Sequence, residues 1–232
     1  MHEIRKGELL LTDLYAVIID DIAIVADLHI GYEGVLRREG AMIPKYQKEI
    51  LKEKLDNIIE KYQPSLLIIN GDFKHEFGKN LWQEWNEVTE ILDFLTKKTK
   101  VLLIRGNHDN FLKTIAKKFE VPIVNEFEYN EIKIAHGHKE VEGEKVIIGH
   151  EHPSLHLRDK VGAFVKLPCF LYSEKLIVLP ALSPLATGTD VSSPEQYLSP
   201  LLKKTADDEM EVYAISDGLL YFSSLKKLRK VL

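Results

Sequence analysis

The 232 residues carry 31 Lys+Arg against 36 Asp+Glu, a formal net charge of −5, with 45% hydrophobic and 29% charged content. That composition suits a soluble globular chain with a large core and argues against one that holds nucleic acid mainly through a broad basic surface. The single cysteine, Cys169, excludes an internal disulfide and suits a reducing cytoplasm, and no apolar run is long enough to span a membrane.

AVIIDDIAIVADLH (16–29) predicts two short apolar strands turning at Asp20-Asp21. Pro44 followed by KYQKEILKEKLDNIIEKY predicts a helix with proline in its first turn. SLLIIN (65–70) reads as a buried strand, LWQEWNEVTEILDFLTKK (81–98) as a second amphipathic helix and VLLI (101–104) as another strand. A short helix around 110–118 and a hairpin across Tyr129-Asn130-Glu131 follow. KVIIG, LHLRD, AFVKLPCFLY and KLIVL suggest further strands, with Cys169 a small core residue. The stretch 180–200, with four prolines, reads as a long ordered loop, a lid or a dimer contact. EVYAIS and LLYFS return to a sheet, and LKKLRKVL is a short basic tail. Early strand–helix alternation with later hairpins implies an α/β domain with mixed sheets.

One event recurs along this order. IAIVA ends in Asp27-Leu28-His29, LLIIN in Gly71-Asp72, and VLLIRG in Asn107-His108-Asp109. IKIA ends in His136-Gly137-His138, and VIIG in His150-Glu151-His152. Strand ends are where open α/β sheets assemble sites. Side chains at i and i+2 of an extended segment share a face, so Asp27 with His29, and His150 with His152, can each present a pair. Any one pair has a bland reading as a solvated loop; five in sequence do not.

Imidazole, carboxylate and amide donors suit two divalent ions: manganese first, with iron, zinc or nickel compatible, and without the thiolates of a structural zinc knuckle. Asp72 has two oxygens with which to bridge, and paired metals can clamp both oxygens of an in-line phosphoryl displacement.

DLH, GD, GNHD, HG and GHEH, in that order, resemble the calcineurin-like metallophosphoesterase superfamily. ADLHIGYEG, NGDFKHEFG and IGHEHP resemble its SbcD-related, ICC-like archaeal and bacterial branch. The resemblance implies a layered sandwich of two mixed β-sheets flanked by helices. The larger SbcD-type nucleases add a capping domain that grips DNA, for which 232 residues leave no room. A single domain over 1–232 is therefore expected, without a separate capping domain and with DNA binding either absent or limited to flexible single strands. The same resemblance implies Asp27, His29 and His152 on one metal, Asn107, His136 and His150 on the second, and Asp72 between them. It makes His108 a substrate-facing acid or phosphate contact, oriented by Asp109.

The second motif reads GDFKHEF rather than the GDxxDRG of phosphoprotein phosphatases, so their arginine is absent and His75 resembles the phosphate-contacting histidine of SbcD-type nucleases. A surface or supporting role fits His75 equally. His138 reads as near the substrate or supporting, His2 and His156 as structural, and Glu151 as pointing away from the metals. The reading is therefore a phosphodiesterase acting on single-stranded DNA, against a phosphoesterase for a nucleotide-like small molecule. A non-catalytic scaffold would expect lost ligands. Arg37, Arg38 and the Lys79 region offer a DNA path, though a solvated helix face explains the same charges. The sequence itself specifies no helicase or ligase partner and no oligomeric state.

Overall fold

The computed structural model describes the chain apart from residues 77, 79–81, 159–161, 163, 206–208 and 231–232. An antiparallel meander comes first: β1 (Glu3–Lys6), β2 (Leu9–Thr12), β3 (Val17–Ile19) and β4 (Ile22–Val25). Its first hairpin went unpredicted, because EIRK is a half-exposed edge strand without apolar alternation. Parallel strands β5 (Leu66–Asn70), β6 (Lys100–Ile104) and β7 (Ile123–Val124) then extend the sheet beyond β4 in chain order.

Parallel neighbours need crossovers. Here these are α1 (Tyr32–Arg38), α2 (Gln47–Tyr62), α3 (Trp82–Thr96) and α4 (Leu112–Lys118). Proline does not open α2, which begins after Pro44. Its first turn is capped from outside, where the Glu33 carboxylate accepts the Tyr46 and Gln47 N–H groups at 2.7 Å each. Leu51, Leu55 and Ile58 of α2 pack with Val88, Ile91, Leu92 and Leu95 of α3 over Ala23, Val25, Leu67 and Ile69. The alternate residues Ile22, Ile24 and Ile68 face the other way, as the two-residue strand period requires.

The second sheet is also mixed. It contains β8 (Glu126–Tyr129), β9 (Ile132–Ala135), β10 (Lys145–Ile148), β11 (Pro153–Arg158), β12 (Phe164–Tyr172), β13 (Leu176–Val178), β14 (Thr189–Asp190), β15 (Glu211–Ser216) and β16 (Gly218–Ser224). Their order is β14-β11-β12-β13-β10-β9-β8, with β15 on β12 and β16 on β15. Asn130 and Glu131 have φ of 48° and 64°, the left-handed pair that a two-residue hairpin needs. Ile134, Ile147, Phe170 and Ile177 meet the first sheet, forming the middle of the sandwich. On the outer face, Ile148, Cys169 and Val178 pack with residues of α5 (Pro200–Thr205) and α6 (Leu225–Leu228). The basic tail is thus partly a short amphipathic helix, with Leu225 and Leu228 buried.

The 180–200 segment is a wall of the fold rather than a lid. Leu182 and Ser183 N–H groups donate to the Ala26 and Asp27 carbonyls at 2.9 and 3.1 Å. The buried Glu151 accepts from Leu198 and Ser199 N–H, which turns it away from its histidine neighbours. Among the described residues, no helix is long and apolar enough to cross a membrane.

Candidate metal centre

Strands β4, β5 and β6 run parallel, so the Asp27, Asp72 and Asn107 loops leave the first sheet at one end. Strands β9 and β10 are parallel too and deliver His136 and His150 from the second sheet. The loops meet at the seam between the sheets.

Three groups form there among the described residues, each with its ligand atoms within 4.8 Å of one another: Asp27 with His29 and His152, Asp72 with His136 and His150, and His29 with His75 and His108. Asn107 joins the second group, its Oδ1 being 3.2 Å from His136 Nε2. Asp72 Oδ2 lies between the first two groups, 3.8 Å from His29 Nε2 and 3.3 Å from His136 Nε2. His136 Nδ1–H donates to the Asn70 carbonyl at 3.1 Å, so Nε2 is the nitrogen that faces Asn107 and Asp72. Against burial, the Asp72 hydrogen bond and the Asp27 and Asp72 charges push the ring up to about 9, and a metal would displace the Nε2 proton.

The donors fit divalent cations. Asp27 is fully buried, yet its Oδ1 has no hydrogen-bond partner; it faces His152 Nε2 at 3.3 Å and His136 Nδ1 at 3.7 Å. Nitrogens of His29 and His152 stand 3.2 Å apart, the edge length of a coordination shell with bonds of about 2.0–2.1 Å. Burial lowers His29 to about 3, helped by the nearby His152 charge, and lowers His150 to about 4, helped by His136. Both rings are therefore neutral at neutral pH, the form that binds metal. Burial would raise Asp72, but the His136 hydrogen bond and the His136, His29 and His108 charges hold it below the usual range. Two buried carboxylates faced by imidazoles call for added positive charge.

The backbone reasoning from an extended chain does not hold here. Asp27, His29, Asp72, His150 and His152 have φ of 57°, 47°, 44°, 66° and 48°. Each left-handed residue costs about 1–2 kcal/mol, so these tips are strained turns rather than strand continuations. Tertiary bonds hold them: Asp27 N–H to Gly71 O at 3.2 Å, and His29 N–H to Asp72 O at 2.9 Å. Gly106 is required by close approach, since a Cβ there would overlap the Asp72 carboxylate and its backbone nitrogen.

His108 adjoins the centre, its Nε2 4.0 Å from Asp72 Oδ2. Its orientation departs from expectation. The His108 Nδ1–H donates to the His75 carbonyl at 2.5 Å, whereas Asp109 takes backbone N–H groups of Phe73 (2.9 Å), Lys74 (3.3 Å) and Gly106 (2.8 Å). Asp109 therefore ties the GNHD loop to the GDF loop, and the His75 carbonyl sets the His108 ring. Burial, with the Asp72 charge, pushes Asp109 up to about 6. His75 stacks on Tyr32 with centroids 3.8 Å apart and places Nδ1 3.2 Å from His29 Nδ1. His138 lies on the rim of the cleft beside His136. His2 pairs with Asp13 and His156 bonds Ser154, both outside the centre.

Two supporting residues were missed although the sequence marks them. Gln47 and Glu84 are polar residues on the buried stripes of α2 and α3. Glu84 accepts the His75 and Glu76 N–H groups at 3.0 and 2.6 Å and pairs with buried Lys74 at 3.3 Å. Gln47 Nε2 donates to the His29 carbonyl at 2.7 Å and to Ser183 Oγ at 3.3 Å. Gln47→Leu should cost about 1–2 kcal/mol by stranding these buried acceptors, lowering the thermal midpoint roughly 3–8 °C. Calorimetry showing an unchanged midpoint would deny Gln47 that role. Arg38, offered above as a DNA path, is engaged with Glu76 at 3.1 Å, and Lys79 lies outside the described residues.

The family model for calcineurin-like phosphoesterases matches residues 21–168, the span that contains every loop of this centre. The chain belongs to the calcineurin-like phosphoesterases. It is accordingly a hydrolase of phosphate esters, from a family that works with divalent metals. The crystal structure of the Pseudomonas putida nuclease MPE is similar in fold, with TM-score 0.71 at 22% identity over 95% of this chain and 99% of that one. The E. coli phosphoesterase Yfce aligns at 14% identity with TM-score 0.39, over 84% of this chain and 88% of that one. No curated protein sequence matches this phosphoesterase.

Proposed function

We propose that this phosphoesterase cleaves phosphodiesters, with single-stranded DNA as the substrate class, using two manganese ions. Asp27, His29 and His152 would hold one ion, Asn107, His136 and His150 the other, and Asp72 both. Cys169 is buried on the outer face of the second sheet, so the donors at the centre are nitrogen and oxygen, which suit manganese and also admit iron, zinc or nickel. Bound there, the ions supply Lewis acidity to the phosphate and an activated water.

The chain's own groups do the rest. With its Nδ1–H committed to the His75 carbonyl, His108 can hold a proton only at Nε2, the nitrogen facing the centre, and deliver it to the departing ester oxygen. If His29 binds through Nε2, its Nδ1–H donates to His75 Nδ1, and His75 keeps Nε2–H as a neutral donor for a phosphate oxygen. Gln47 and Ser183 fix the loop that carries His29.

The observation that carries the diester reading is charge. Burial, with the neighbouring His108 charge, lowers His75 to about 4, so the histidine in the GDFKHEF motif adds no cation at neutral pH. Lys74, beside it, is spent on Glu84. A diester brings one negative charge and a monoester nearly two, so the second charge would go poorly compensated. The nuclease name of the Pseudomonas putida neighbour favours the same class. Manganese-dependent hydrolysis of a bis-aryl phosphate should exceed that of the matching monoester, circular single-stranded DNA should be cut internally, and His75→Ala should depress diester turnover without removing metal. Faster monoester hydrolysis with intact circular DNA would overturn the reading in favour of a nucleotide-like small-molecule substrate.

A further inference from the structure

Two open clefts adjoin the centre on its Asn107–His136 side. The first, about 370 Å³, is lined by Asn107, His136, His138, Lys139 and Arg105. The second, about 730 Å³, runs on past Arg105 to Phe111, Lys113 and Lys117. Arg105 and Asn125 line both, so the two clefts are neighbours that lead away from the centre with Arg105 and Asn125 between them.

Their chemistry is specific. Lys113 and Lys117 are four residues apart on α4, hence on one helix face, and both are exposed. Phe111 stands immediately before that helix with 54% of its surface exposed and φ of 67°, so its ring is presented to solvent at the cleft. Lys139 and Arg105 line the same cleft as His138. Acidic groups also touch the clefts. Glu126 is paired with Lys133 at 3.7 Å, while Glu120 and Glu140 are exposed at their edges. Asp109 is buried, with both oxygens satisfied by backbone N–H groups. Four cations at intervals and an exposed aromatic ring are what a flexible nucleic-acid strand needs, charges for its phosphates and a face for a base.

We infer that Lys139, Arg105, Phe111, Lys113 and Lys117 form a single-stranded nucleic-acid path that carries the substrate away from the metal centre, with Phe111 stacking a base. The inference rests on the nuclease reading above and moves the strand off Arg37 and Arg38. It also accounts for the chain's acidic balance: the basic residues are few but aligned. A bis-aryl phosphate has no further nucleotides to follow the path, so the path discriminates between long and short diesters.

The test uses full-length wild type, Phe111→Ala and Lys113→Glu/Lys117→Glu, each loaded with manganese. Binding of a fluorescein-labelled thymidine oligonucleotide is followed by anisotropy over a salt series, alongside kcat/KM for the oligonucleotide and for a bis-aryl phosphate. Phe111→Ala should weaken oligonucleotide binding about tenfold, the scale of one lost base stack. The lysine double variant should make the dependence of log K on log salt shallower by at least about 1. In both, the ratio of oligonucleotide to bis-aryl kcat/KM should fall by about tenfold, a ratio that a general folding defect would leave in place. Equal binding and an equal ratio in all three proteins would overturn the path even if wild type cuts DNA. Failure of wild type to bind the oligonucleotide would overturn it as well. Binding that weakens in the variants without any cleavage by wild type would keep the path and defeat the nuclease reading alone.

Discussion

Asp72→Ala should lower metal occupancy in both groups at once and reduce phosphoesterase turnover by about a thousandfold or more. The expectation comes from position: Asp72 Oδ2 approaches His29 Nε2 from one group and His136 Nε2 from the other. Several kcal/mol of transition-state stabilisation depend on charge placed there, and each 1.36 kcal/mol is a factor of ten. Asp72 Oδ1 also accepts the His108 N–H at 2.9 Å, so alanine would loosen the GNHD loop as well. Asp72→Asn separates the two effects, because an amide oxygen can still accept that bond while the charge is gone. Elemental analysis after dialysis decides the matter. Full metal content in both variants would remove Asp72 from the bridging role.

His108→Ala should have the opposite signature, with metal retained and kcat lowered on the order of 100-fold or more, the usual contribution of a positioned proton donor. The ring groups with His29 and His75 and stays outside the two groups that contain Asp27 and Asp72, so its loss leaves both carboxylate groups whole. If its task is to protonate the leaving oxygen, the loss should be small for an acidic nitrophenol and large for an alkyl or nucleoside alcohol. A loss independent of leaving-group acidity would reassign His108 to phosphate binding, and near-normal kcat would take it out of the chemistry.

Much of this centre was legible because metal and phosphate chemistry uses few residue types, and the parallel strands bring those types to one end of the fold. The α/β class with mixed sheets was legible because apolar strands alternate with helical stripes, whereas the two-sheet sandwich followed from the resemblance of the motifs. What was not legible depends on atoms far away in sequence. The left-handed Asp27 and His29 are held by the Gly71 and Asp72 carbonyls, and no local pattern announces such bonds. The family resemblance sets Asp109 against His108, yet its partners Phe73 and Lys74 come from another loop. The 180–200 segment reads as a free loop by composition; its grip on Ala26, Asp27 and Glu151 exists only once the sheets are packed. Glu84 and Gln47 are a different kind of omission. Their signal, a polar side chain on an apolar helical stripe, was present and was passed over.

The division of the donors between two sheets bears on the order in which the protein can be made. Strand β10, which positions His150 and His152, is hydrogen-bonded between β9 and β13, and the Asp27 carbonyl is tied to Ser183. Every donor side chain of the centre lies at or before residue 152, but β13 beside β10 and the Ser183 tether of Asp27 come only with residues 176–183. The support of the constellation is therefore completed late in synthesis. A chain ending just beyond His152 would carry all the motifs and the first-sheet bonds between them, but would lack the β13 neighbour of β10 and the Ser183 tether of Asp27.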